Sequence, residues 1–285
     1  MIRRLCIIGV GLIGGSLALA LRRAGYCKEI VAGGRNADRL RKAVELGVVD
    51  RYETDLAAAV KDADMIFVAV PLGAMAAVFE AIDGHLAEDA VITDGGSAKQ
   101  CVVDDARRAF GDEPPFVVPG HPIAGTERSG VEAAFAELYD GRRVILTPTD
   151  STSPRALQRV ADMWHAAGAK VETMGVEHHD KVLAGTSHLP HVLAYSLVGC
   201  LTRLDDAEEI FRYAAGGFRD FTRIAQSDPV MWRDICLANR DALLEMMGRY
   251  RQELESLTSA LEQNDGQALL EEFSRSKAAR DRFRF

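Results

Sequence analysis

Little in this 285-residue sequence is suited to cross-linking, to nucleic acid or to a bilayer. Its five cysteines, Cys6, Cys27, Cys101, Cys200 and Cys236, are scattered, and no pair has C-x-x-C spacing. That excludes a disulfide framework and a cysteine metal ribbon, and points to reduced thiols in a cytoplasmic protein. Basic charge is in deficit: 34 Lys and Arg stand against 42 Asp and Glu, a formal net charge of −8. A phosphate backbone needs a basic surface, so nucleic acid is excluded as the main partner, while a local pocket for a small anion is not. Long apolar runs are missing too. The nearest approach, LCIIGVGLIGGSLALAL (5–21), imitates a signal peptide or short anchor, but it is short for a membrane helix, holds four glycines and is closed by Arg22 and Arg23. No membrane partner is expected. Internal repeats and low-complexity tracts are also absent. What remains is a chain with 48% apolar residues, enough for a sizeable core in one large domain or two ordinary ones.

The first positive signal is a strand, a turn and a helix in immediate succession. RRLCIIG (3–9) is a compact apolar run suited to a strand buried on both faces, and LALALRRAG (17–25) has helical character up to a stop at Gly25. Between them, Gly9, Gly11 and Gly14 match G-x-G-x-x-G. The first glycine permits the tight turn, the second lets a pyrophosphate approach the backbone, and the third lets helix and strand pack closely. With Leu12 and Ile13 at the helix start facing the anion, this is a dinucleotide-binding turn. The next strand, EIVAGG (29–34), ends without the acidic residue that would hold the ribose hydroxyls of NAD. Arg35 stands there instead, placed to meet a 2′-phosphate, so NADP is favoured over NAD.

The alternation continues. A helix is predicted over about 37–46, a short strand near 48–52, and strands in DADMIFVAVP (62–71), AVITDGGS (90–97), FVVPGHP (116–122) and RRVILTP (142–148). A helix from about 154 to 167, with Ser153 as cap and Pro154 at its first position, precedes the strand AKVETM (169–174). Such a pattern implies a mostly parallel, doubly wound α/β sheet whose ligands gather at the carboxyl ends of the strands. Val70-Pro71, Asp94-Gly95-Gly96-Ser97 and Gly120-His121-Pro122 all fall at such ends, which aims His121 at the cofactor crevice.

After about residue 176 the strand signals stop. HHDKVLAGTSHLPHVLAYSLVGCLTRL (178–204) reads as a long helix kinked at Pro190. Ser227-Asp228-Pro229 starts another, with a periodic stripe through Trp232, Ile235, Cys236, Asn239, Leu243, Met247, Tyr250, Leu254, Leu257 and Leu261. One helix of that length would run roughly 50 Å, more than a small domain can cover, which predicts a homodimer through the helical half. His188 and His191 lie three residues apart on a helix, but no carboxylate follows at the spacing of known zinc helices, so no metal is expected. The alternatives are surface or core-satisfied histidines, or a pair lining a site at the domain junction, with His178 and His179 near its entrance. In YAAGGFRDFTRIAQSDPVMW (213–232), Arg219, Asp220 and Arg223 sit among aromatics, either as an exposed salt-bridged turn or with an arginine clamping a substrate carboxylate.

Taken together, GVGLIGGS (9–16), DGGSAK (94–99), GHPIAGTE (120–127), SHLPH (187–191) and GGFRDFTRIA (216–225) make the chain resemble the prephenate/arogenate (cyclohexadienyl) dehydrogenase family of tyrosine biosynthesis. The resemblance covers nearly the whole chain. It implies a Rossmann domain, residues 1–176, followed by an all-α dimerisation and substrate domain, residues 177–285. The reaction it implies is oxidative decarboxylation: the C4 hydrogen leaves as hydride to a nicotinamide, the ring carboxylate leaves as CO₂, and the ring becomes aromatic. By this resemblance His121 takes the proton of the C4 hydroxyl, and Ser97 contacts that hydroxyl and the nicotinamide. Arg223, supported by Asp220, binds a substrate carboxylate. His179, Ser187, His188 and His191 line the site, and Glu127 and Trp232 gate and close it. Two other readings stand against this one. A helical-tailed Rossmann dehydrogenase of the β-hydroxyacid or imine-reductase kind would place a lysine or aspartate where this chain has its histidines. A non-catalytic NADP-binding sensor would have no need of His121, Ser97 and Arg223 together.

Overall fold

Alternate side chains of the first strand go to opposite faces of a sheet, and both faces are covered. In a computed structural model that describes residues 1–112, 114–126 and 128–283, β1 (Ile2–Ile8) sends Leu5 and Ile7 into one apolar cluster and Cys6 and Ile8 into another. The parallel six-stranded sheet adds β2 (Cys27–Gly33), β3 (Arg51–Glu53), β4 (Met65–Val68), β5 (Val91–Asp94) and β6 (Val117–Val118) in the order β3-β2-β1-β4-β5-β6. Leu5 pairs with Ile30 on one side and Met65 on the other, so the strand order reverses at β1. A crevice at the carboxyl ends of β1 and β4 is where such a sheet takes a ligand. Helices α1 (Leu12–Arg23), α2 (Ala37–Glu45), α3 (Leu56–Val60), α4 (Met75–Ile82), α5 (Gln100–Phe110) and α6 (Pro154–Ala166) cover the two faces. Trp164 on α6 is fully buried, edge-on to both Phe67 of β4 and Tyr139, whose hydroxyl donates to the Ile13 carbonyl at 2.6 Å. That bond fixes the start of α1.

The segment expected as one strand over 116–122 is two. Pro119 has no N–H to continue a ladder, and the chain leaves the large sheet there. Its second part, β7 (Gly120–Pro122), pairs antiparallel with β8 (Arg143–Leu146), which pairs parallel with β9 (Lys170–Thr173) in a separate three-stranded sheet. His121 therefore rides on a short strand held between two sheets rather than on the end of a long one.

From Val176 onward the structure is helical: α7 (Val176–Leu183), α8 (Leu189–Leu201), α9 (Ala207–Arg212), α10 (Gly216–Thr222), α11 (Pro229–Ala238), α12 (Arg240–Glu262) and α13 (Gly266–Arg282). The long helix read from 227 to 261 is broken at Asn239, whose backbone leaves the helical region at φ −108°, ψ 35°. Its side chain is drawn inward to other elements, as described below. The first helical stretch carries its irregularity ahead of Pro190, as a π-helical turn over Ala184–His188 between α7 and α8. The chain divides into two compact units, Met1–Arg240 and Asp241–Phe285. On the second, Leu244, Leu254, Leu261, Leu270 and Phe273 are exposed. No helix among the described residues is long and apolar enough to cross a membrane.

Candidate active site

The glycine turn explains itself through what a side chain would meet. Gly9 adopts φ +95°, where an added Cβ would lie 2.6 Å from the Ala69 carbonyl oxygen, and one on Gly14 would lie 2.5 Å from that of Gly9. These two positions are filled by backbone. At Gly11 a Cβ would meet nothing within 4 Å. The first helical hydrogen bond of α1 runs from Gly15 N to Gly11 O at 2.8 Å, so the amides of Leu12, Ile13 and Gly14 precede it and have no intrahelical partner. No acidic residue stands in the first turn. Space, amides and helix dipole together fit the pyrophosphate of a dinucleotide.

Around the turn lie the other carboxyl-end residues. Arg35 is exposed just past β2, and Asn36 caps α2 by accepting from the Arg39 amide at 3.0 Å. Val70 is half-buried and Pro71 exposed at the end of β4. They lead into a 3₁₀ turn, Leu72–Ala74, that packs against α11 so closely that a Cβ on Gly73 would come within 2.8 Å of Asp234 Oδ2. Ser97 is half-buried in the turn between β5 and α5.

Behind this crevice sits a buried polar cluster that the sequence only half discloses. Asp94, at the end of β5, accepts from the amides of Gly96 at 2.7 Å and Gly120 at 3.0 Å. Its Oδ2 also meets Lys99 Nζ at 2.5 Å, and the ammonium donates to the Gly120 carbonyl at 2.7 Å. Both side chains of this pair are essentially inaccessible, at 0% and 2% exposure. A buried ion pair survives only when its remaining hydrogen-bonding capacity is filled, and here Gly120 fills it. The effect is to clamp both sides of the residue before His121.

His121 Nδ1 lies 2.9 Å from His179 Nε2, and His179 Nδ1 lies 2.8 Å from Asp180 Oδ1. Asp180 also accepts from the amides of Lys99 at 2.8 Å and Gln100 at 2.9 Å, which puts a carboxylate on the N-terminus of α5 and ties α7 to it. Burial pushes its carboxyl up, but His179 and the two amides together outweigh that, and its pKa ends lowered. His121 is held well below the usual imidazole range by burial first, then by Lys99, His179 and His188. Its Nε2 makes no hydrogen bond among the described residues.

Asn239 reaches in from the break between α11 and α12. Its Nδ2 donates to the Asp180 carbonyl at 2.8 Å and to His188 Nδ1 at 3.0 Å. A carbonyl only accepts, so the amide orientation is fixed, and the His188 proton resides on Nε2. Burial first, with His179 and His191 adding to it, pushes His188 down to about 4; Asp180 and the nearby Ser97 backbone oppose the shift. Even so, His188 Nε2 has no partner at hydrogen-bond geometry among the described residues, and neither has Trp232 Nε1; both are buried donors. Trp232 stacks on His191 with centroids 3.5 Å apart and planes at 18°, and stands edge-on to His188 at 6.1 Å. His191 Nδ1 donates to the Ser187 carbonyl at 2.9 Å across the π turn, and its pKa is lowered chiefly by burial.

The structure thus joins His121, His179, His188, His191 and Trp232 into one cluster beside Ser97. His179 is fully buried with both nitrogens engaged inside the protein, which leaves it none for a substrate. His178, expected near an entrance, is exposed. Ser187 is half-buried. Asp220 on α10 and Arg223, which opens a 3₁₀ turn over Arg223–Gln226 packed against α8, are both exposed. Glu127 lies outside the described residues. From the sequence, Lys99 and Asp180 have no role, Asp94 is marked only as a strand-end residue and Asn239 only as part of a periodic stripe, although a lysine inside DGGSAK and an asparagine in an apolar stripe are both signals of a satisfied buried group. Among the described residues no group of three or more His, Cys, Asp or Glu is placed to hold a metal ion.

Comparison with known proteins gives a consistent result. The prephenate dehydrogenase nucleotide-binding domain family matches residues 17–173, and the prephenate dehydrogenase dimerization domain family matches residues 175–275. A cyclohexadienyl dehydrogenase of Zymomonas mobilis is 40% identical, covering 98% of this chain and 95% of its own. A prephenate dehydrogenase of Bacillus subtilis is 36% identical over 96% of this chain and 74% of its own. Among solved structures, prephenate dehydrogenase from A. aeolicus in complex with hydroxyphenyl propionate and NAD+ has a TM-score of 0.92 at 37% identity, covering 99% of this chain and 98% of that one.

Proposed function

The chain belongs to the prephenate dehydrogenase family, and from that premise we propose that it catalyses the oxidative decarboxylation of prephenate, arogenate or both. The observation that carries the reading is His121: a buried imidazole beside the nucleotide-binding crevice, kept neutral, with one ring nitrogen uncommitted. Bound in the glycine turn, a nicotinamide cofactor supplies the hydride acceptor.

The protein's part is a matter of protons and charge. As hydride leaves C4, the hydroxyl on that carbon becomes strongly acidic, and His121 Nε2 accepts its proton. The dienone so formed loses its ring carboxylate as CO₂, and the electron pair of the broken bond makes the ring a phenolate. The proton then returns to the ring oxygen. Aromaticity drives the loss of CO₂, so no second strong base is needed. Ser97 borders the same space and orients the hydroxyl. The unpartnered donors His188 Nε2 and Trp232 Nε1 suit oxygen atoms of a substrate that carries two carboxylates. Arg223, with Asp220 one helical turn before it in the sequence, takes a substrate carboxylate. Ser187 and His191 line the side-chain end, and Glu127 and Trp232 close the site.

NADP is the coenzyme we propose. β2 ends at Gly33 and leads into Gly34-Arg35-Asn36, without a carboxylate for the ribose hydroxyls, and Arg35 is exposed there. The A. aeolicus complex holds NAD+, so the two coenzymes are to be set against each other directly. Residues 1–176 serve the cofactor and 177–285 the substrate and a homodimer, for which the exposed apolar residues of Asp241–Phe285 are the support. The scattered, reduced cysteines suit a cytoplasmic location.

The test is absorbance at the reduced-nicotinamide band with prephenate or arogenate, each with NADP+ or NAD+. Reduction with at least one substrate is expected, faster with NADP+. Intact cofactor binding without reduction in any combination would overturn the activity, and a faster rate with NAD+ would overturn the coenzyme assignment alone.

A further inference from the structure

We propose that His179 and Asp180 act on His121 as a proton store: they fix which nitrogen of His121 is the base, and they hold the substrate's proton between its removal and its return. The inference rests on the dehydrogenase reading above.

The direction of each bond follows from the last member of the chain. An ionised carboxylate can only accept, and Asp180 is already receiving the Lys99 and Gln100 amides at the start of α5, so His179 Nδ1 must be the donor at 2.8 Å. In the proposed resting state the His179 ring carries that proton alone, so its lone pair is on Nε2 and His121 Nδ1 donates to it at 2.9 Å. That leaves the lone pair of His121 on Nε2, the nitrogen without a partner among the described residues. A free imidazole in water would divide between its two tautomers; here a carboxylate two rings away selects one.

The surroundings also decide where a gained proton rests. Burial first, then Lys99, His179 and His188, disfavour a positive charge on His121. Asp94 lies nearby as well, but it is committed to Lys99 and to the Gly96 and Gly120 amides. His179 lies against Asp180, the carboxylate in direct contact with the histidine chain. The transfer is therefore double. The substrate O–H bond breaks as a proton joins His121 Nε2, while the His121 Nδ1–H bond breaks as that proton joins His179 Nε2. His121 ends neutral, and His179 ends as an imidazolium paired with Asp180. When the ring oxygen becomes a phenolate, both transfers reverse and the proton count closes. Both states use the same hydrogen-bonded frame, so no heavy atom has to move far. His179 and Asp180 are positioning residues here, acting only through His121.

The test begins with wild-type protein that reduces cofactor; absence of turnover would fail the dehydrogenase reading and leave the tautomer measurement to judge this one. Nitrogen–proton correlation spectra of histidine-labelled protein without substrate should show a proton on Nδ1 of both His121 and His179 and none on Nε2 of His121. The reverse tautomer of His121 overturns the proposal. In single turnovers, mixtures of light and heavy water should give a curved dependence of rate on deuterium fraction, the mark of two protons in flight. His179→Gln keeps an acceptor for His121 Nδ1–H but cannot take up a proton. It should lower the single-turnover rate by roughly 10-fold or more, less than loss of the base itself, with KM within about twofold and the deuterium dependence made linear. A wild-type dependence that is already linear, or a variant with wild-type rate, overturns it. Should the variant fail to fold, the two wild-type measurements decide.

Discussion

The glycine turn after β1 and the polar cluster around His121 border the same crevice, and they are shaped by opposite means. In the turn, side chains are missing and the backbone is the working part: two glycines are packed against carbonyls, and the third opens onto space. In the cluster, side chains are nearly everything, and most of their polar atoms are already committed to partners brought from far away, such as the Lys99 amide and Asp180, 81 residues apart. The turn runs through eight consecutive residues, Gly9 to Ser16, with the Ala69 carbonyl packed on Gly9. The cluster exists only when β5, β7, α7 and the α11–α12 break have all arrived. A change in the turn should therefore stay local, while a change in the cluster should spread.

The sharpest cut into the cluster is His121→Asn, which should leave cofactor binding near normal and lower kcat by roughly 10²–10⁴-fold. Turnover close to wild type would remove His121 from the role of base. Next in size is an effect on stability. His188 has a pKa of about 4 in the folded protein, below the ordinary value of 6.5, so the unfolded chain takes up its proton first as pH falls. Stability should hold above pH 6.5 and decline from there towards pH 4, by about 3 kcal/mol from this residue alone. Denaturant melts across that window should show a shallower decline in His188→Gln; an unchanged slope would mean that burial of this imidazole costs nothing. In the turn, Gly14→Ala pushes a methyl against the Gly9 carbonyl and should cost about 1–3 kcal/mol. Gly11→Ala should change stability by no more than about 1 kcal/mol, because its backbone φ of −108° suits any residue, while raising the cofactor KM. Equal stability losses in the two alanine variants would break the distinction between packed and open glycines.

The same contrast governs what could be read in the sequence. A positive φ or a close backbone approach demands glycine at that very residue, so the turn appears as a spacing, and the strands that feed it appear as short apolar runs. His121 was legible because glycine and proline bracket it. Its supports were not, since an aspartate or lysine carries no mark of a partner many residues away. Asn239 falls in an apolar stripe by its spacing; its polarity is the clue, and it marks the break in the long helix. Pro119 was equally visible inside FVVPGHP, and its missing N–H is why that run divides between two sheets.

The π turn over Ala184–His188 sets a rotational phase for everything that follows it. An α-helix advances about 100° per residue, and a single π turn takes up one residue more than an α turn would. Deleting one residue there would restore a regular helix and swing all of α8 by about that angle. Leu189 and Ala194 would rotate out of the interior, and His191 off the face of Trp232. A length change of one residue in this stretch is then a change of facing, and exchange of any single side chain outside the turn leaves that angular setting untouched.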